Sequence, residues 1–433
     1  MRAIGVMPGV CLALVCQLAM AGAHDKAPVA VTTISAADFE AFKRDMQRRV
    51  AALEAENAAL RQGQQQNQEA VVQIRGVQAD APDSWTDRIS MKGDFRYRYQ
   101  HDEVDLSGIN NRNRQRIRAR PAIVAKLPSD IEIGFGIATG SGDPVSSNQT
   151  LGGGGSSKGV NLDLAYVSWG TPIEGLTLEG GKFKNEFVRT GGNGLLWDSD
   201  WRPEGVQILY ERSIFFGNVL GTWLEADGSS GEGEEFAWGA QAGIKTELGP
   251  AKIKAGASYF DIGVEGDPCL FESDDCFGNT AIPDPSSPGD FLYASDFKLI
   301  NGFLEVDFEV FELPSQIFVD YVTNDDAVGS DDTGYAVGAR LGKAKKQGSW
   351  QASYTYQDLE ADAALGLLTD SDFAGGGTDS KGSKFGAAYA LTDASKVKLT
   401  YFLTERNDSN GVENGFQDFD VDTLQVDFEW KYK

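Results

Sequence analysis

The chain has 433 residues, a formal net charge of −25, 51 glycines and a rich aromatic content of 24 Phe, 13 Tyr and 8 Trp. No internal segment approaches the run of about 18 apolar residues that a spanning helix needs, which excludes an ordinary helical membrane protein but not a barrel, whose strands alternate and so average polar. The acidic balance argues against nucleic acid or acidic lipid as the main partner and suits hydrated, acidic loops.

Residues 1–23 read as a secretory signal peptide. Met1-Arg2 is a short positive start, Val6 to Ala19 is mostly apolar, and Ala19-Met20-Ala21 and Ala21-Gly22-Ala23 offer small-x-small cleavage sites. A buried N-terminal helix is the competing reading. Lipoprotein processing at Cys16 is disfavoured, because Ala13-Leu14-Val15 lacks the small residue wanted before the cysteine. Residues 24–34 form a flexible leader. From 35 to 76 the pattern turns helical, and a heptad register places Phe39, Met46, Leu53, Leu60, Asn67 and Ile74 at d with Val50, Asn57, Gln64 and Val71 at a. That pattern predicts a coiled coil, although a lone amphipathic helix shows a similar stripe. Residues 77–87, with Asp80-Ala-Pro-Asp-Ser84, form a linker.

Residues 88–433 read as strands. In Leu304 to Val310, Leu304, Val306, Phe308 and Val310 share one face, and Glu305, Asp307 and Glu309 share the other. The last strand sets Leu424, Val426, Phe428, Trp430 and Tyr432 against Gln425, Asp427, Glu429 and Lys431. Sixteen strands can be counted from Ile89, with 291–300 a candidate for one more. Short connections are expected near 127–130, 171–175, 213–217, 248–250, 313–314, 342–348 and 392–395. They alternate with long Gly/Asp/Ser-rich ones, the longest being 140–159, 186–204, 263–301 and 359–381. A transmembrane barrel with periplasmic turns and external loops requires that asymmetry, and an even strand count returns both ends to the periplasm. A soluble sandwich has no reason for it. The fold class is therefore an all-β antiparallel transmembrane barrel with a short helical coiled coil before it.

Arg112, Arg114, Arg116, Arg118 and Arg120 are each two apart, and Arg96 and Arg98 repeat the spacing on the preceding strand. Lipid exposure would cost several kcal/mol for each arginine near the midplane, so the ladder is expected to face the lumen. There it either attracts anions or pairs with acidic groups across the pore. The segment 185–204 is the candidate constriction loop. With Lys184 just before it, it carries Glu186, Arg189, Asp198, Asp200, Arg202 and Glu204 among Trp197 and Trp201, and a plain external loop would need fewer bulky aromatics.

Once the signal is removed, Cys269 and Cys276 are the remaining cysteines, and an oxidising compartment favours a loop disulfide between them. A metal site would need further ligands that neither His24 nor His101 supplies nearby. Acidic clusters at Glu232, Glu234 and Glu235, at Asp267, Glu272, Asp274 and Asp275, and at Asp325, Asp326, Asp331 and Asp332 lack the spacing of a calcium loop. Gly152 to Gly155 lacks the Lys-Ser/Thr pair of a phosphate loop. With two histidines and no nucleophile elbow, no hydrolytic centre is apparent, so neither enzyme activity nor a cofactor or metal is expected.

Asp94-Phe-Arg-Tyr-Arg98 with Asn113-Arg-Gln-Arg-Ile-Arg118, Gly181-Lys-Phe-Lys-Asn185 with Leu195-Leu-Trp-Asp-Ser-Asp-Trp-Arg-Pro-Glu-Gly205, and Phe318-Val-Asp-Tyr-Val-Thr-Asn324 resemble segments of the bacterial outer-membrane putative-porin family. Its members join a signal peptide, a short coiled coil and a large barrel. The resemblance implies a sixteen-stranded, trimeric barrel in a Gram-negative outer membrane, bordered by lipid and lipopolysaccharide and passing small hydrophilic solutes. The chain departs from the usual aromatic terminus by ending on Lys433. A structural envelope anchor whose coiled coil reaches periplasmic partners, and a surface adhesin or receptor, are the alternatives to a diffusion channel.

Overall fold

The computed structural model describes residues 36–79, 85–226, 233–407 and 418–432. The expected signal peptide and leader, the linker residues 80–84, Glu232 and Lys433 lie outside the described residues. Two compact units emerge, Met1–Pro82 and Asp83–Lys433.

The described residues of the first unit form one α-helix, α1 (Ala36–Ala79), which runs three residues into the expected linker. Ala, Glu, Gln and Arg favour it, since their straight or minimal side chains lose little rotamer freedom in a helix. Met46, Val50, Leu53 and Leu60 of the heptad seam are all exposed, and so is Phe42, which the heptad register leaves out. Phe42, Met46 and Val50 follow one another at i, i+4 spacing and so form a continuous apolar stripe.

The second unit is a closed antiparallel barrel of sixteen strands. A short 3-10 turn at Trp85–Arg88 leads into β1 (Ile89–Val104). Then come β2 (Arg112–Leu127), β3 (Ile131–Thr139), β4 (Val160–Gly170), β5 (Leu176–Lys182), β6 (Glu204–Arg212), β7 (Phe215–Glu225) and β8 (Glu235–Leu248). The second half comprises β9 (Ala251–Ile262), β10 (Phe297–Val310), β11 (Leu313–Asn324), β12 (Thr333–Gly342), β13 (Trp350–Leu359), β14 (Ser380–Thr392), β15 (Ser395–Arg406) and β16 (Phe419–Tyr432). Each strand pairs with its neighbours, and β1 closes on β16 from Gly93↔Tyr432 to Val104↔Val421. Closure leaves no open edge with unpaired backbone groups.

Connections alternate in length, as expected. One turn sits two residues earlier than the sequence suggests: Phe311-Glu312 makes the bend, and Pro314 lies inside β11 opposite Glu309. Ser213-Ile214 makes another, with Phe215 to Gly217 already in β7. Segment 291–300 is no extra wall strand. Phe291–Tyr293 pairs with Ala281–Pro283 in a small hairpin within the long connection, and β10 begins at Phe297.

The outer surface carries the apolar half of each alternation, including Ile123, Phe135, Val206, Ile208, Leu399 and Trp430, all exposed. The inner surface is not uniform. Toward the long-loop end, β7 to β13 turn Leu220, Ala237, Phe260, Ile262, Phe297, Leu299, Phe318, Val322, Ala336 and Leu359 inward into a buried cluster. On β14–β16 and β1–β2 the inward side chains there are mostly polar or charged, among them Thr400, Gln425, Asp427, Arg96, Arg98 and Arg118.

Candidate functional site

The connection between β5 and β6, residues 183–203, crosses the interior, and its bonds trace the path. Near its start the Asn218 amide of β7 donates to the Glu186 carbonyl at 2.9 Å, and the Val188 amide donates to Gln241 of β8 at 2.7 Å. Farther on, the Gly191 amide reaches Glu305 of β10 at 2.9 Å, and Asn193 donates to Asp320 of β11 at 2.9 Å. The loop then returns across the bore, where Asp200 accepts from Arg120 of β2 at 2.5 Å and lies 3.5 Å from Arg118. A segment bonded to both sides of a barrel must pass through its middle.

Local sequence explains the turn at the far wall. Gly191 has φ +60, and a Cβ there would lie 2.2 Å from the Phe318 ring, so only glycine lets the backbone press that close. The loop's aromatics hold it down. Trp197 stacks on Trp201 with centroids 5.0 Å apart and meets Phe260 edge-on at 4.4 Å. Each fully buried side chain of this size contributes roughly 1.5–3 kcal/mol.

A second connection folds in beside it, within 359–381, which loop length alone marks only as one of the long loops. Between β13 and β14, Ala363, Ala364, Leu365, Leu367 and Leu368 are buried in the same apolar cluster. The Asp198 amide donates to the Leu368 carbonyl at 2.7 Å, and the Asp370 amide donates to the Gly194 carbonyl at 3.0 Å. The legible signal was an apolar run, Ala363 to Leu368, in a connection where hydrated residues are expected. The β9–β10 connection packs on this loop. Asn279 donates to the Ala361 and Ala364 carbonyls at 2.6 and 2.8 Å and accepts from the Gly366 amide at 2.8 Å. The expected disulfide, Cys269–Cys276, is formed in that same connection.

The arginine ladder faces inward, and most of it is ion-paired. Arg98 donates twice to Asp427, at 2.7 and 3.0 Å, and once to Asp372 at 2.8 Å. Arg118 and Arg120 both bind Asp94, closest at 3.0 and 2.8 Å, and both approach Asp200. Arg114 binds Asp102 at 2.7 Å. Arg96 instead bonds to Asn148 at 2.5 Å and reaches Asp427 only at 4.0 Å. Arg116 donates to the Gln100 amide oxygen at 3.1 Å and has no ion pair among the described residues. Arg112, the first residue of β2, is exposed.

The loop charges separate. Asp200 joins the ladder and accepts from the Ser147 hydroxyl at 2.6 Å, which ties in the β3–β4 connection as well. Asp198 accepts from the Asp200 amide at 2.7 Å and the Ser371 amide at 3.2 Å. Arg202 pairs with Asp163 of β4 at 3.2 Å, and Arg189 donates to the Trp197 carbonyl at 3.5 Å. Glu204 begins β6, is exposed and pairs with Lys182 at 2.5 Å, outside the ladder cluster. Lys184 and Glu186 are exposed. Spacing revealed the basic side of this site. Its acidic partners on the walls, Asp94, Asp102 and Asp427, share inward faces with the arginines, a signal the period-two reading contained but did not use.

Burial, with Asp370 and Asp200 close by, pushes the Asp198 carboxyl up to about 7. Burial opposes ionisation of Asp200 too, but Arg120 and Arg118 hold it far below the usual carboxylate range. Asp372 is likewise held low, against burial, by Arg98 and Arg96. Among the described residues no group of three or more His, Cys, Asp or Glu side chains is arranged to hold a metal.

The fold has solved counterparts. The high-pH structure of OprB from Pseudomonas putida superposes with a TM-score of 0.53 at 12% identity, covering 79% of this chain and 94% of that one. The loop-deletion mutant of OmpT, an outer membrane protein of Vibrio cholerae, gives 0.47 at 12% identity over 80% of this chain and 100% of that one. OmpF from Salmonella typhi, in complex with daunomycin, gives 0.47 at 11% identity over 81% and 99%. At these identities the likeness concerns the fold alone, and the first of the three carries it. No curated protein matches the sequence. The family described as "Putative porin" matches residues 105–268 and 301–432, well over half of the chain. With a closed sixteen-stranded barrel behind that match, the chain belongs to this porin family of non-enzymatic channels and is a porin-like outer-membrane β-barrel.

Proposed function

We propose that the protein is a passive diffusion channel that admits small hydrophilic solutes to the periplasm with a preference for anions. The observation that carries this reading is the loop 183–203 stretched across the bore, which sets Asp200 against Arg118 and Arg120 and narrows the passage to a polar strip along β14–β16 and β1–β2. Fixed charges around a narrow aqueous path sort ions by sign. The arginines engaged by carboxylates mainly stabilise the wall. Selectivity then rests on cations without an ion pair among the described residues, such as Arg116 and Arg189, and on Arg96, whose nearest carboxylate is 4.0 Å away.

In this reading residues 1–23 direct export, the short turns and both barrel ends face the periplasm, and the long loops face outward. The exposed stripe of α1 assembles with two further copies into a trimeric coiled coil.

Planar-bilayer recording of the purified protein tests the reading. Stepwise currents with a reversal potential displaced toward the anion are expected under a salt gradient. Absence of steps at any voltage or salt concentration would sink the channel, and a cation-directed potential would sink the preference. Cross-linking before and after deletion of 35–76 tests the trimer, which should fade without that segment.

A further inference from the structure

The inward face of β15 and β16 holds polar groups that the ladder does not engage. Thr400 and Gln425 stand directly opposite each other in the β15–β16 register, and each is about 1% exposed. Among the described residues the Thr400 hydroxyl and the Gln425 side-chain nitrogen have no hydrogen-bond partner, and neither does Nε of Arg96 on β1. All three residues line one cavity between the wall and the infolded loops, together with Lys398. Lys398 lies opposite Asp427, but both oxygens of that carboxylate are taken by Arg98, and Lys398 has no ion pair among the described residues.

Buried donors without acceptors are costly, and burial of several on adjacent strands calls for an acceptor that enters from solution. We propose that Lys398, Thr400 and Gln425, with Arg96 on the same cavity, form a subsite for the oxyanion of a small solute, inorganic phosphate being the simplest occupant. The chemistry fits an oxyanion better than chloride, because an ammonium, a hydroxyl and an amide on two paired strands, with the Arg96 guanidinium on the same cavity, offer donors to different oxygens of one group. The acidic side chains on the same cavity do not oppose it strongly. Asp372 is engaged by Arg98, Asp370 by Lys384 at 2.8 Å and Asp200 by Arg120, while Asp198 is bonded to Ser371. The subsite deepens the channel reading, since it gives an anion-preferring bore a saturable step for one class of anion.

Two measurements on the full-length protein separate the claims. Calorimetric titration of the purified protein with inorganic phosphate should show saturable binding, weakened about tenfold by Lys398→Gln, the loss of one charge-assisted contact. Thr400→Val should weaken it less, and Lys252→Gln, at an exposed position near a short turn, should leave it as it was. In bilayers, added phosphate should block the chloride current with a half-blocking concentration that rises by the same factor in Lys398→Gln. Heat-modified gel mobility verifies that each variant forms the barrel. Binding that is absent, or unchanged in Lys398→Gln, overturns the subsite even if the channel conducts. Binding that depends on Lys398 in a protein that passes no current keeps the subsite and overturns the channel.

Discussion

Two arcs of one wall face the same bore and do opposite things. Along β7–β13 the inner surface near the long-loop end is apolar, and three connections pack onto it with Phe183, Leu195 and Trp197, with Leu270 and Tyr293, and with Leu365 and Leu368. Along β14–β16 and β1–β2 it is polar and charged, and it meets the tips of those connections through Asp200, Asp370 and Asp372. The first arc is a folding core placed inside a barrel. The second is a largely buried network of ion pairs with a small polar cavity beside it. A loop can be held rigidly in mid-bore only if one of its sides is glued down by burial, which leaves the other free to present charge.

The largest expected effect breaks the glued side. Leu365→Asp puts a carboxylate where the native side chain is 1% exposed, and an unpaired buried charge costs about 3–5 kcal/mol, more than a surface loop's packing can absorb. The loop 360–379 should come away. Single-channel conductance should rise severalfold and protease should cut within the loop, while the barrel keeps its heat-modified mobility. An unchanged conductance would mean that this arc does not set the width of the bore.

Substitutions on the charged arc sharpen the comparison from the other side. Arg98→Gln strands Asp427 and Asp372, both largely buried, and should lower stability by about 3–5 kcal/mol in denaturant titrations. Arg116→Gln should cost less than about 1 kcal/mol, since its hydrogen bond is to a neutral amide, yet it should reduce anion preference in reversal-potential measurements. If the two variants behave alike, the distinction between structural and selective arginines fails.

Removing the disulfide as Cys269→Ser with Cys276→Ser should release about 2 kcal/mol of chain-entropy stabilisation, confined to the β9–β10 connection. Hydrogen exchange at Asn279 and Gly366 should rise while the wall strands stay protected.

The smallest effect is a pH dependence at the junction of the two infolded loops. Asp198 is raised from 3.8 to about 7 in the folded state, so the fold binds its proton more tightly than the unfolded chain does. Its contribution is therefore full below about pH 4 and is lost as pH climbs through about 7. Asp372 is lowered, so its contribution is present above its ordinary value and fades in acid as pH falls toward its folded value. Between those limits the contact of Asp198 with Ser371 should be firmest near about pH 5, and conductance should rise modestly toward about pH 8. Asp198→Asn should flatten that rise, and a wild-type slope that survives the substitution would assign it elsewhere.

Strand count, closure and inward arginines were legible because a strand's period of two is strictly local: Arg112 to Arg120 declare their shared face whatever surrounds them. The aromatics and mixed charges of 185–204 marked an infolded loop for the same reason, since bulky side chains need somewhere to be buried. The second loop was less legible. Ala363 to Leu368 is apolar in sequence, but nothing local says that its partners are Trp197 and Phe260 on other connections and strands. Ion pairing was hidden too. Asp427 lies at the far end of the chain from Arg98, and only closure of β16 on β1 makes them neighbours.

The sequence by itself determined the alternation of faces and of loop lengths, because both are written in residues a few positions apart. Which arginines are neutralised, which polar groups remain unpartnered and which loops share a core were decided only by the closed barrel, since those contacts join residues separated by tens to hundreds of positions and exist only once the wall has curved round to meet itself.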